Sequence, residues 1–184
     1  MTLTKATTVY EFSKARISQL RQKYGQLWLD IGAGDNPQPN CVSMDKRALA
    51  HIDVVHEIED TPWPFPAETF SKIIASHVIE HLKPWLMLNV MNEAWRVMKP
   101  DGEFLISMPY AGSFGFWQDP THTKAWNEAT PAYFDPEYKN QHLQGGGLYA
   151  VYNPSPWRVV LNTWHSDGNT EVVLAKRTSW KRSS

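Results

Sequence analysis

Apolar residues along the chain follow two different rhythms. Between residues 8 and 23, Val9, Phe12, Ile17 and Leu20 recur at roughly helical intervals, and Thr8 and Glu11 have capping-box spacing. The pattern predicts an amphipathic helix, ended by Gly25. Leu27-Trp28-Leu29-Asp30-Ile31 is instead a short apolar run broken by Gly32, the pattern of a buried strand delivering the chain into a tight turn. Val42-Ser43-Met44-Asp45, Ile52-Asp53-Val54-Val55-His56 and Phe70-Ser71-Lys72-Ile73-Ile74-Ala75 are three further candidate strands. The helical rhythm returns over residues 84–98, where Trp85, Leu88, Met91, Trp95 and Met98 make an apolar stripe and Pro84 suits the first turn. Lys99-Pro100-Asp101-Gly102 is expected to stop this helix and turn the chain into a fifth strand, Glu103 to Met108.

Residues 109–147 carry many Gly, Pro and aromatic residues with no clear period. A stretch this long inside a compact domain carries function or local helices of its own, so a substrate-side lid insertion is expected there. Arg158 to Leu161 and Thr170 to Lys176 read as a closing antiparallel pair, joined at Ser166-Asp167-Gly168-Asn169. Strands alternating with crossovers imply an α/β fold with a mostly parallel sheet, here with an antiparallel C-terminal edge.

Composition narrows the class. With 184 residues, 42% hydrophobic and 20% charged, the chain suits one globular domain spanning 1–184, with residues 1–25 as its N-terminal helix. The single cysteine, Cys41, excludes an internal disulfide framework and fits a reducing compartment. No apolar run approaches the ~20 residues needed to span a bilayer, and Met1-Thr2-Leu3-Thr4-Lys5 lacks the apolar core of a secretory signal. A cytoplasmic protein without a membrane partner is therefore expected. A net charge of −1 supplies no field to attract nucleic acid, and the basic tail, Lys176-Arg177 and Lys181-Arg182, reads as a solvated end. Nine tryptophans in 184 residues is several times the ordinary share, and five lie after residue 110; most are expected to serve as core and hydrophobic lids, and some to line a pocket.

The chemistry begins at Asp30-Ile31-Gly32-Ala33-Gly34, directly after the first strand. In open α/β sheets ligands bind beyond the carboxyl ends of the strands, and glycine lets the backbone approach them. A dinucleotide fingerprint needs a third glycine where Pro37 stands, and no Gly-Lys-Ser/Thr follows to make a phosphate loop. A ligand without a pyrophosphate fits better. Asp45 ends the second strand, where a carboxylate can accept both hydroxyls of a ribose. Glu57 and Ile58 follow the third strand, where an acceptor side chain and a backbone amide can read an adenine edge.

Leu29-Asp30-Ile31-Gly32-Ala33-Gly34, Asp45, the run from Glu57 to Phe65, the run from Phe70 to Leu82 and the run from Glu93 to Gly102 occur in this order. Together they resemble the successive motifs of class I S-adenosylmethionine-dependent methyltransferases, over roughly residues 27–110. Within that family the chain is similar to a short bacterial and phage-type group carrying a segment like Trp117-Gln118-Asp119-Pro120-Thr121-His122. The resemblance implies a Rossmann-like fold, S-adenosylmethionine as cofactor, and cofactor contact by Asp30, Gly32, Ala33, Gly34, Asp45, Glu57, Ile58, Ser76 and His77. Two departures follow. Only seven residues separate Gly34 from Val42 and six separate Asp45 from Ile52, so the early crossover helices are trimmed, and either Asp35 or Asp45 is left to reach the ribose. Glu57 stands where the family more often has Asp.

His77-Val78-Ile79-Glu80-His81 also spells the inverted zinc-protease motif, which needs both histidines on one helix face and a third ligand. Asp119-Pro120-Thr121-His122 holds a carboxylate near an imidazole, or is simply a capped turn. If this loop folds over the strand ends, Asp119 and His122 join His77 and His81 at the pocket mouth. Such a cluster orients an acceptor hydroxyl or amine, serves as a general base, or holds a metal ion. His122 is the first candidate base and His81 the second, with Asp119 beside them; no metal ligand set is assigned. Gly145-Gly146-Gly147 reads as a passive linker before the last strands, with a lid hinge as the alternative. The expected activity is methyl transfer to a small-molecule or sugar acceptor. A non-catalytic cofactor-binding domain is the alternative, and a zinc hydrolase a remote one.

Overall fold

A computed structural model describes residues 13–138 and 147–180. Seven strands form one sheet: β1 (Trp28–Ile31), β2 (Val42–Asp45), β3 (Val54–Val55), β4 (Phe70–Ser76), β5 (Met98–Pro109), β6 (Trp157–Trp164) and β7 (Asn169–Lys176). Their order is β3-β2-β1-β4-β5-β7-β6. The pairings β1–β2, β1–β4, β2–β3 and β4–β5 are parallel, whereas β7 runs antiparallel to both β5 and β6. This is the α/β sheet with an antiparallel C-terminal edge that the pattern predicts. The order reverses between β1 and β4, the place where an open sheet leaves a crevice for a ligand.

The helices are α1 (Ser13–Tyr24), α2 (Met87–Val97), α3 (Phe114–Trp117) and α4 (Gly147–Tyr152). On one sheet face Leu29, Ile31, Ile73, Ala75, Phe104, Ile106, Val172 and Leu174 are buried, alternating along their strands, and Met87, Val90, Met91, Ala94 and Val97 of α2 complete that core. The opposite face is thinner. Trp28, Ile74 and Leu105 stay partly accessible there and Ser76 is exposed, because residues 35–41 and 46–53 hold no helix. Asp53 ties this trimmed side together: its carboxylate accepts from Lys23 Nζ at 2.9 Å, Tyr24 Oη at 2.8 Å and the Ser43 amide at 3.2 Å, joining α1 to β2 and the start of β3.

Several boundaries differ from the pattern for local reasons. Pro84 and Trp85 lie in a turn before α2, closed by the Leu86 amide on the Lys83 carbonyl. Met98 already pairs with Phe70, and pairing resumes at Lys72 with Glu103. Lys99 to Gly102 is therefore a bulge within β5 and not a turn ahead of it, with Asp101 at φ +58°. β3 keeps two residues of the five expected, while β6 extends to Trp164. Thr8, Glu11, Gly145 and Gly146 lie outside the described residues. Among the described residues no helix is long and apolar enough to cross a membrane.

Candidate functional site

The turn after β1 is made by Gly32 and Gly34, both at positive φ (+64° and +59°). Gly32 is also a close approach: a Cβ there would stand 2.4 Å from Val78 Cγ2. The turn is held from two sides. Asp45 Oδ2 accepts the Gly34 amide at 2.9 Å, and Asp30 Oδ2 accepts the Gln38 amide at 2.7 Å. Burial raises the Asp30 carboxyl above its ordinary range. Burial also pushes Asp45 upward, but the amides of Arg47 and Gly34 and the Arg47 guanidinium outweigh it and hold that carboxyl below the usual range.

Beyond this turn lies a cavity of about 370 Å³, bounded by Gly32, Gly34, Asp45, Glu57, Ile58 and His77 among others. Six of the nine residues expected at the cofactor therefore converge on one space. The other three do not line it. Asp30 is buried behind the turn, Ala33 is buried with its amide on the Met44 carbonyl, and Ser76 borders a separate cavity with Gln38 and Ile74 on the thinner face. Between the two acids, Asp45 lines the cavity, whereas Asp35 bonds the Arg47 guanidinium at 3.2 Å. Lys46, Arg47, Glu59, Val78 and Leu82 also border the cavity, and the motif reading had singled out none of them for the cofactor. The wall carrying Glu57 to Phe65 is anchored to α2, since Glu93 accepts the Trp63 amide at 2.6 Å and Arg96 donates to the Phe65 carbonyl at 2.8 Å.

After β4 the chain enters the left-handed region at His77 (φ +55°) and makes one 3-10 turn, Ile79–His81. No α-helix spans residues 77–81, so the paired-histidine face of the inverted zinc motif does not form. The segment after β5 instead folds back over this turn. Thr123 and Lys124 donate their amides to the Glu80 carbonyl at 2.8 and 3.0 Å, and Thr123 Oγ1 donates to the Leu82 carbonyl at 2.7 Å. These bonds bring His122 beside His81, with ring centroids 4.7 Å apart. His122 is further held by its Nδ1 at 2.8 Å from the Phe116 carbonyl. Thr121 donates both its amide and its hydroxyl to Asp119 Oδ1, which holds the exposed Asp119 carboxyl below its ordinary range.

A second cavity, about 340 Å³, opens between His77, His81, Glu80, Asp119, Gln118 and His122. It shares His77 and His81 with the first. Glu80 forms its most buried wall at 0% exposure, and neither carboxylate oxygen has a hydrogen-bond partner. His77 Nδ1 stands 3.3 Å from Glu80 Oε1 without hydrogen-bond alignment, and that proximity raises the His77 pKa. The expected aromatic lid is divided. Trp126 is buried, stacked on Phe134, and borders a different cavity with Trp85, Tyr133 and Tyr152, while Trp117 is 73% exposed.

Similar folds are widespread among solved structures. A S-adenosylmethionine-dependent methyltransferase from Archaeoglobus fulgidus is 15% identical, with TM-score 0.55 over 88% of this chain and 93% of that one. The 1,6-didemethyltoxoflavin-N1-methyltransferase of Burkholderia thailandensis, solved with bound 1,6-didemethyltoxoflavin and S-adenosylhomocysteine, is 12% identical, with TM-score 0.56 over 88% of this chain and 76% of that one. A 16S rRNA (adenine(1408)-N(1))-methyltransferase from Catenulisporales acidiphilia, solved with S-adenosylmethionine, is 15% identical, with TM-score 0.53 over 91% and 92%. No curated protein matches the chain significantly by sequence. A family model described as a methyltransferase domain matches residues 7–152. The chain belongs to that methyltransferase family.

Proposed function

We propose that this protein transfers the methyl group of S-adenosylmethionine to a small-molecule acceptor bound in the second cavity. The cofactor, when bound, supplies a methyl group already activated on a sulfonium, so the protein's work is alignment and exclusion of water. The residues of the first cavity fit that ligand. Its volume falls within the ~300–1,000 Å³ usual for small-molecule sites. Gly32 and Gly34 keep side chains away from its floor, Asp45 Oδ2 keeps a lone pair beside the Gly34 amide for a ribose hydroxyl, and Glu57 with Ile58 borders the adenine end. Asp30 and Ala33 serve the cofactor indirectly, by holding the turn.

The observation that carries the reading is the wall of His77 and His81 common to both cavities. It sets the two cavities side by side, so that a donor in one and an acceptor in the other are neighbours. His122 and His81 then face the acceptor hydroxyl or amine; Asp119 positions His81 through Thr121, and the Phe116 carbonyl positions His122. The likeness to the short bacterial and phage-type group rests on this same segment, Trp117 to His122. A cavity of about 340 Å³ suits a small acceptor, being within the ~300–1,000 Å³ usual for small-molecule sites.

Methyl-labelled S-adenosylmethionine, incubated with the protein and a cell extract separated into small molecules, RNA and protein, tests this directly. The label is expected in the small-molecule fraction. Label confined to RNA or protein contradicts the acceptor class.

A further inference from the structure

We propose that Glu80, His81 and His122 form a divalent-cation site on the wall of the second cavity, and that this cation holds a hydroxyl oxygen of the methyl acceptor. The first half stands on the side chains alone; the second rests on the acceptor reading above.

Glu80 is the starting point. A fully buried carboxylate ordinarily accepts several hydrogen bonds or faces a cation, yet both its oxygens lack a partner. Of the three imidazoles around it, His77 comes nearest, with Nδ1 3.3 Å from Oε1 but without hydrogen-bond alignment, and His81 and His122 do not fill that need in their neutral forms. A carbonyl can only accept, so His122 Nδ1, 2.8 Å from the Phe116 carbonyl, carries the proton and leaves a lone pair on Nε2. That Nε2 lies 4.0 Å from Glu80 Oε1 and 3.8 Å from Asp119 Oδ2. Three acceptors thus converge with no proton among them. His81 is set in the same way. Thr121 gives its one hydroxyl proton to Asp119 Oδ1 at 2.7 Å, so at 3.0 Å it accepts from His81 Nδ1, and the lone pair again falls on Nε2. An imidazole locked through Nδ1–H by a carbonyl or a carboxylate-bound partner is how proteins prepare histidine for a metal.

One ligand atom from each of Glu80, His81 and His122 lies within 4.8 Å of the others. Ligands across an ion at ~2.1 Å are at most ~4.2 Å apart, so shifts of roughly half an ångström, which the exposed loop carrying Thr121 can make together with His81, close the difference. A carboxylate with two imidazoles and no thiolate suits a first-row transition ion such as Zn²⁺, Mn²⁺ or Fe²⁺ over Mg²⁺ or Ca²⁺, which prefer oxygen. Three protein ligands leave coordination positions open to the cavity. The acceptor class that fits them carries a hydroxyl, ideally with a second oxygen on the adjacent carbon. A hydroxyl on such an ion is more acidic. Its proton leaves to water, and the oxygen pair forms the new O–CH₃ bond as the carbon–sulfur pair returns to sulfur. His122 is then a ligand and not the base.

Titration of metal-free, tag-free protein with Co²⁺, followed by its visible absorption, tests the site. One Co²⁺ per chain is expected. Glu80→Gln and His81→Ala are each expected to weaken it by more than the ~10–100-fold that loss of an outer partner costs. His81 is exposed, so its substitution keeps the test valid if Glu80→Gln fails to fold. Failure of Co²⁺ to bind the wild-type protein, or binding unchanged by His81→Ala, overturns the proposal. S-adenosylhomocysteine binding to the metal-free wild-type protein, measured separately, shows whether the cofactor reading stands on its own.

Discussion

Gly32 has no room for any side chain, because its φ is +64° and a Cβ would overlap Val78. Gly32→Ala is expected to cost at least about 1–2 kcal/mol in backbone strain alone, with more from displacing Val78, and to lower both the melting temperature and cofactor affinity. A variant that melts and binds like wild type would contradict this account of the turn. Cys41 makes a second residue-level prediction: burial raises its thiol pKa to about 11. An alkylating reagent at pH 8 is expected to leave it unmodified in native protein and to modify it fully in denaturant, as read by mass spectrometry. Asp45, Glu57 and Gly32 were legible in the sequence because strand ends and glycine turns are written locally. Glu80 was visible only as part of a motif spelling. Its significance comes from complete burial, which depends on residues 116–124 folding back over it, and no local pattern encodes that.

At the scale of elements, short crossovers replace helices and a single carboxylate takes up part of the load. Burial raises the Asp53 carboxyl, but Lys23, Tyr24 and Ser43 outweigh it and leave its pKa below the ordinary carboxylate value. A depressed folded-state pKa contributes stability that is fully present above the unfolded value, ~4, and is lost as pH falls through the lower folded one. Unfolding free energy is therefore expected to hold near neutral pH and to drop below about pH 4. Asp53→Asn is expected to be less stable at pH 7 and to show a shallower acid decline, both read from denaturant titrations. Equal acid slopes would remove Asp53 from this role. The trimmed crossovers were countable in the sequence, and so was α2 from its stripe. The bulge at Lys99–Gly102 was not, since Pro100 and Gly102 signal a turn equally well whether it precedes a strand or interrupts one.

For the molecule as a whole, the strand order places the β1/β4 reversal, the glycine turn and the ends of β2 and β3 at one edge, where the first cavity forms. The parallel sheet and its antiparallel edge could be read from the alternation of elements. The second cavity could not, because it is made by segments about forty residues apart in sequence, joined through the Glu80 carbonyl. Everything proposed for the acceptor depends on the first cavity holding the donor. Calorimetric titration with S-adenosylhomocysteine measures this most directly. The account predicts one molecule bound per chain with a micromolar Kd, about −8 kcal/mol, weakened at least about tenfold (1.4 kcal/mol) by Asp45→Ala. No binding at millimolar ligand, or an affinity indifferent to Asp45, would contradict it.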